Sequence, residues 1–299
     1  MQYIKTPLLI AQQIEALERR GMVFSNKQSA EHYLSHISYY RLRAYTYPYQ
    51  NNSDPNHPFW HPTPFERVLD DYIFDRKLRV LVFDAMEKIE IALRTQIIYQ
   101  FSIRKGGQWY EDVGLFRNAR LFQSDLAHLD KEINRSQEEF IRHYKSKYTS
   151  PTRPPAWIAL EVCTIGTLSK LYDNLALSDE KKAVARHFGL GHPFVLESWM
   201  QTFSHVRNIC AHHSRLWNRQ ITIIPIFPQR PAAPWVSPKM LAESHKIFAA
   251  LCCIRYFLNQ ISPGNSFSNK LKDCLGLYKS INKRAMGFVE GWEEEPLWQ

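Results

Sequence analysis

Residues 65–101 read FERVLDDYIFDRKLRVLVFDAMEKIEIALRTQIIYQF. Neither glycine nor proline interrupts the stretch. Leu78, Val82, Ala85, Ile89 and Leu93 recur at steps of three and four, the spacing of one face of an α-helix. A half-buried strand would alternate at every second position instead. The pattern therefore predicts one long helix, and a chain built around it is mainly α.

The neighbouring segments extend this reading. On the N-terminal side, Thr6-Pro7 has the form of an N-cap and first helical residue, predicting a helix to about residue 20, before Gly21. Ser25 and Gln28 have capping-box spacing for a second helix to about residue 37. SYYRLRAYTYPYQ, residues 38–50, reads as an extended aromatic segment laid on the core, and a loop rich in proline and asparagine follows to residue 64. On the C-terminal side, Gly106-Gly107 ends the long helix. A charged amphipathic helix is predicted over residues 121–148. Pro151, Pro154 and Pro155 break the chain and open another, AWIALEVCTIGTLSKLYDNL. A short helix over 179–188 stops at Gly189, and Pro193 opens the next. ITIIPIFPQRPAAPW reads as extended, a short strand or hairpin, and two helices over about 239–259 and 266–281 close the chain. The expected architecture is an all-α bundle over 61–299 with an N-terminal helical arm over 1–60, in one continuous globular unit.

Composition agrees with a folded core. Of 299 residues, 44% are apolar and 13% aromatic, which excludes a disordered chain. The net charge of +9 favours an anionic partner, nucleic acid before a membrane surface. The five cysteines are odd in number and have apolar neighbours, with no C-x-x-C pair. They read as reduced core thiols in a cytoplasmic protein. No N-terminal signal pattern and no run long enough to span a bilayer is visible, so no membrane partner is expected.

RNICAHHSRLWNR, residues 207–219, concentrates arginine, asparagine and histidine. Continued as a helix from residue 199, it places Ser204, Arg207, Asn208, His212, Arg215, Asn218 and Arg219 on one face at about 100° per residue. Trp199, Phe203, Val206, Ile209, Leu216 and Trp217 take the other face. On that wheel His212 is polar-facing, whereas His213 falls among the apolar residues and reads as a buried, hydrogen-bonded ring. Adjacent histidines point apart and no H-E-x-x-H occurs, so no metal and no cofactor is expected. A solvated face more often carries Lys and Glu, whereas no acid occurs from Ser198 to Pro234. Such a window suits phosphate, which arginine grips with a rigid fork, while histidine moves protons near neutral pH.

Arg207-Asn208-x-x-x-His212 resembles the R-x4-6-H signature of HEPN-superfamily ribonucleases. The wider string resembles the Abi family of abortive-infection proteins, of the AbiD and AbiF type. YYRLRAYTYPY, FDRKLRVLVFDAMEKIEIALRTQI, FIRHYKSKY, PPAWIALEVCTIGTLSKLYDNL and MGFVEGWEEEPLW agree with it, in order, from about residue 8 to 298. The resemblance implies an all-α HEPN bundle and a homodimer in which two motifs meet to form one site. It also implies metal-independent RNA cleavage in phage defence, with Arg207, Asn208 and His212 as catalytic residues. Some HEPN members only bind RNA or nucleotides. The rival reading is thus a non-catalytic RNA-binding module of a toxin–antitoxin or RNA–protein assembly, with a noncoding RNA or protein antitoxin as partner. A DNA-binding regulator ranks third, for want of a helix-turn-helix.

Around this centre, Arg215 and Arg219 are candidate RNA contacts. So are Arg41 and Arg43 in the tyrosine-rich segment and Arg142 and Lys145 in RHYKSKY, where aromatics could stack bases. Packed tyrosines and a solvated helix end are the plainer readings. Glu90 and Arg94 form an i,i+4 pair that either orients Arg207 or His212 from a neighbouring helix or is a structural salt bridge.

Overall fold

The computed structural model describes residue 2 and residues 6–299, so Thr6 and Pro7 fall within it. Helix makes up 64% of the chain and strand 3%, as an all-α protein requires. Two compact units divide it: residues 1–78 with 274–281, and residues 79–273 with 282–299.

In the first unit, α1 (Ile10–Arg19) begins beyond Thr6-Pro7. The Gln12 side chain accepts the Leu9 N–H at 2.9 Å, satisfying one of the donors a helix start leaves open. Strand β1 (Met22–Val23) pairs in parallel with β2 (Thr63–Pro64). Helix α2 (Lys27–His36) is capped by Asn26, whose side chain accepts the Ser29 N–H, while the Ser25 hydroxyl donates to Glu66 instead of forming the expected capping box. The tyrosine-rich segment is not extended. It forms α3 (Tyr39–Thr46) and a 3-10 turn over Tyr47–Tyr49, because Ser38 accepts the Arg41 N–H and so starts a helix. Tyr45 is buried there and donates to Asp75, and Tyr49 donates to Asp71.

The long helix α4 (Phe65–Lys105) runs as its periodicity predicts, its latter part lying in the second unit. There the predicted 121–148 helix is two: α5 (Ala119–Arg135), capped by Asn118, and α6 (Glu139–Lys147). Ser136 adopts extended backbone between them, and its hydroxyl accepts the Glu138 N–H. The next predicted helix also divides, into α7 (Ala156–Ala159) with a 3-10 turn and α8 (Ile165–Asn174). Cys163 turns extended, and Thr164 caps α8 by accepting the Thr167 N–H. Helix α9 (Asp179–His187) follows its Ser178 cap, and α10 (Pro193–Ala211) starts at its proline.

Residues 221–236 form no strand; they lie along α10 and are held by its side chains. Trp199 Nε1 donates to the Ile226 carbonyl at 2.8 Å, and Ser198 Oγ accepts the Ile226 N–H at 2.9 Å. The proline-punctuated backbone thus bonds to a helix rather than to a second strand. Helix α11 (Ile247–Ile261) is buried from Ile247 to Leu258, and α12 (Phe267–Leu277) follows. Residues 239–246 stay outside α11 as a 3-10 turn and loop. Within this unit α10 packs against α8, α9 and α11, and α5 packs against α8. None of the described cysteines forms a disulfide, and four of the five are buried.

Candidate functional site at the end of α10

Helix α10 stops at Ala211, eight residues short of the motif's end at Arg219. The Ser214 N–H bonds to the Ile209 carbonyl and the His213 N–H to the Cys210 carbonyl, both near 3.0–3.1 Å. This is a Schellman stop, with His213 at φ 55° in the left-handed position that glycine usually fills. The wheel therefore fails beyond residue 211. His213 is exposed rather than buried on an apolar face, and it lies in the turn. His212 is also exposed, at the C-cap. Leu216 and Trp217 are buried and anchor the chain beyond the turn, and Asn218 takes a second left-handed conformation at φ 46°.

Arg207 lies within the helix and is half-buried. Its guanidinium sits over the Phe83 ring, 5.7 Å from the centroid, and Nε lies 3.7 Å from Glu90 Oε2. That is ion-pair range but beyond a hydrogen bond, and the buried Nε–H has no acceptor. Glu90 also meets Arg94 Nη2 at 3.4 Å, and the same Nη2 donates to the Cys163 carbonyl at 3.0 Å. Arg94 Nη1 reaches Glu161 at 3.9 Å. Glu90 therefore holds two arginines, one anchored to the break before α8 and the other aimed outward. The helix pair read from sequence does reach the motif, at Arg207.

Asn208 is exposed on the adjacent flank of α10. Arg215 and Arg219 are half-buried, and Arg219 Nη1 donates weakly to the Arg215 carbonyl at 3.4 Å. The other predicted RNA contacts lie on α3 and α6. Arg41, exposed, and Arg43, half-buried, belong to the first unit. On α6, Arg142 is exposed, while Lys145 Nζ donates to the Ile133 carbonyl and Asn134 Oδ1 at 3.3 and 3.1 Å, closing the end of α5.

His205 escaped the sequence reading. It stands three residues before Asn208 on the same flank, and its Nε2 lies 3.4 Å from Thr222 Oγ1. Burial, then the charge of Arg219, lowers its pKa below the usual histidine value. The stripe Gln201, Ser204, His205, Asn208 has helical spacing and was the available signal. Among the described residues, no three His, Cys, Asp or Glu side chains gather at a spacing that would hold a metal ion, and no helix is long and apolar enough to cross a membrane.

An all-α chain with an arginine–histidine cluster at an open helix end is the class that fold and site define. The model of the Abi-like protein family matches residues 32–218, and the chain belongs to that family. Membership supports a role in abortive infection. The match covers α10 and its turn and ends at Asn218, one residue before the end of the motif. No curated protein and no solved structure matches the chain.

Proposed function

We propose that the protein is a HEPN-type endoribonuclease of an abortive-infection system that cuts RNA without a metal. The carrying observation is Arg207: a guanidinium positioned by Glu90 and Phe83 on a side chain that stays about one-third exposed (32%), near the exposed Asn208 and His212. Such a group is ready for a phosphate oxygen. In the reaction, a base takes the proton of the ribose 2′-hydroxyl and the 2′-oxygen bonds to phosphorus. The bond from phosphorus to the 5′-oxygen breaks, and an acid protonates that leaving oxygen. Arg207 stabilises the charge that builds on the phosphoryl oxygens. His212, exposed at the helix end five residues on, moves the proton, and Asn208 orients the strand.

One copy offers one Arg207 and one His212, and the face next to Arg207 is suited to a second. Val80, Phe83 and Ile91 are exposed on the stretch of α4 that Arg207 covers. An apolar stripe of this kind marks an interaction surface. A homodimer across it would bring two motifs together, and sedimentation velocity should show a dimer. An active monomer at every working concentration would refute that arrangement.

The reading is tested by Arg207→Ala and His212→Ala, measured for RNA cleavage in vitro and for toxicity on expression. Both variants should lose both activities while melting like the parent. Full cleavage by either variant would remove that residue from the mechanism, and RNA binding without any cleavage by the parent would favour the non-catalytic RNA-binding module.

A further inference from the structure

A groove of about 520 Å³ opens between α5, α8 and α10, on the flank of α10 that carries Asn208. Its wall is polar in a specific way. Asp125 of α5 is only 9% exposed, yet its carboxylate faces the groove and has no hydrogen-bond or ion-pair partner among the described residues. Neighbouring Asp173 is by contrast paired, with Arg117 at 3.5 Å. Ser169 of α8 is 3% exposed, lines the same wall, and its hydroxyl makes no hydrogen bond there either. Lys170 of α8 lies at the rim, exposed, with no ion pair among the described residues, close enough to feel the Asp125 charge. Their oxygens are not sealed in the core but open into the groove, where water or a ligand with matching donors can reach them.

We infer that this groove binds a guanine base, with Asp125 accepting from its Watson–Crick edge and Lys170 donating to its O6. The inference rests on the reading of the protein as RNA-cutting, since it sets which base lies beside Asn208. The choice among bases follows from donor order. Guanine presents two adjacent donors, N2–H and N1–H, followed by the O6 acceptor. A carboxylate accepts both donors side by side, and an ammonium next to it suits O6. Adenine and cytosine each offer one donor next to an acceptor that would face the carboxylate, and uracil has a single donor flanked by acceptors. Single-stranded RNA exposes these edges to protein side chains. Ser169 supplies a further hydroxyl at the wall, and the groove volume suffices for one nucleotide.

The probe is a fluorescein-labelled RNA hexamer of uridines with one central guanosine, fully 2′-O-methylated so that it cannot be cut, beside the same hexamer with adenosine. Anisotropy titration should show the guanosine strand bound about tenfold more tightly, the scale of a well-formed bidentate base contact. Asp125→Asn and Lys170→Ala should each bring the ratio close to one. Lys170 is exposed, so its variant keeps the test valid even where Asp125→Asn fails to fold. Equal binding of both strands by the parent, or an undiminished guanosine preference in Lys170→Ala and in folded Asp125→Asn, overturns the assignment. Free GMP that binds more tightly than the strand would make the ligand a mononucleotide and overturn the strand reading. A protein that prefers the guanosine strand but never cuts unmodified RNA defeats the nuclease proposal and leaves the groove standing. Cleavage with no base preference does the reverse.

Discussion

Two arginine- and aromatic-rich regions, the 38–50 segment and the end of α10, look alike as sequence and differ in what their polar atoms do. In the first, Tyr45 donates to Asp75 and Tyr49 to Asp71, both at 2.6 Å, and Arg67 Nε donates to Tyr49 Oη at 3.0 Å. Arg20 donates to Tyr39 at 2.7 Å. The tyrosines are bound inward and hold helices together. At the end of α10, Arg207 Nε has no acceptor, and Asn208 and His212 face outward. Composition does not separate the two regions; the inward hydrogen bonds of Tyr45 and Tyr49, against the exposed Asn208 and His212, do.

The largest effect should come from the open region. Arg207→Ala should lower the cleavage rate at least about a hundredfold, the loss typical when a donor to a developing oxyanion is removed. Its melting temperature should barely change, because Glu90 keeps Arg94 and the site is partly solvated. A variant that loses stability in step with activity would place Arg207 in the structural class instead.

The closed region should respond in the opposite sense, through stability and pH. Burial raises Asp71 to about 6 from an ordinary value near 4, outweighing the lowering by the Tyr49 hydrogen bond and Arg67. The folded state then holds this proton more tightly than the unfolded chain. Stability from Asp71 is present below about pH 4 and falls as pH rises towards 6, by up to about 3 kcal/mol. Asp71→Asn should remove that fall, so its advantage over the parent grows between pH 4 and pH 7 in denaturant titrations, with RNA cleavage unchanged. A constant difference across that range would show that Asp71 does not titrate as its burial requires.

A smaller effect sharpens the boundary between the two histidines. His213 holds a left-handed backbone that glycine adopts without strain. His213→Gly should stabilise the protein by about 1 kcal/mol and leave cleavage intact. Loss of cleavage in a stabilised variant would move the proton-transfer role from His212 to His213.

Long periodic elements were legible in the sequence. Residues 65–101 form α4, and Pro193 opens α10, because an unbroken apolar period and an N1 proline act locally. The breaks were not. Helices divide at Ser136 and at Cys163-Thr164, where no glycine or proline stands and a side-chain cap decides the local geometry. The stop after Ala211 was hidden for the same reason, since histidine fills the place of glycine, and with it went the burial assigned to His213. The spacing of Arg207, Asn208 and His212 marked them as candidates. The partnership of Arg207 with Glu90 was one of two readings, and the groove around Asp125 was out of reach, because it joins three helices distant in sequence.

The central claim is that the open cluster on α10 cuts RNA with its own side chains and the strand's 2′-hydroxyl. The most direct measurement treats one RNA and its 2′-deoxy analogue with EDTA-stripped protein and maps the product ends. The account predicts cleavage of the RNA alone, leaving a 2′,3′-cyclic phosphate and a 5′-hydroxyl. Cleavage of both strands, or activity that returns only with added magnesium, would contradict it.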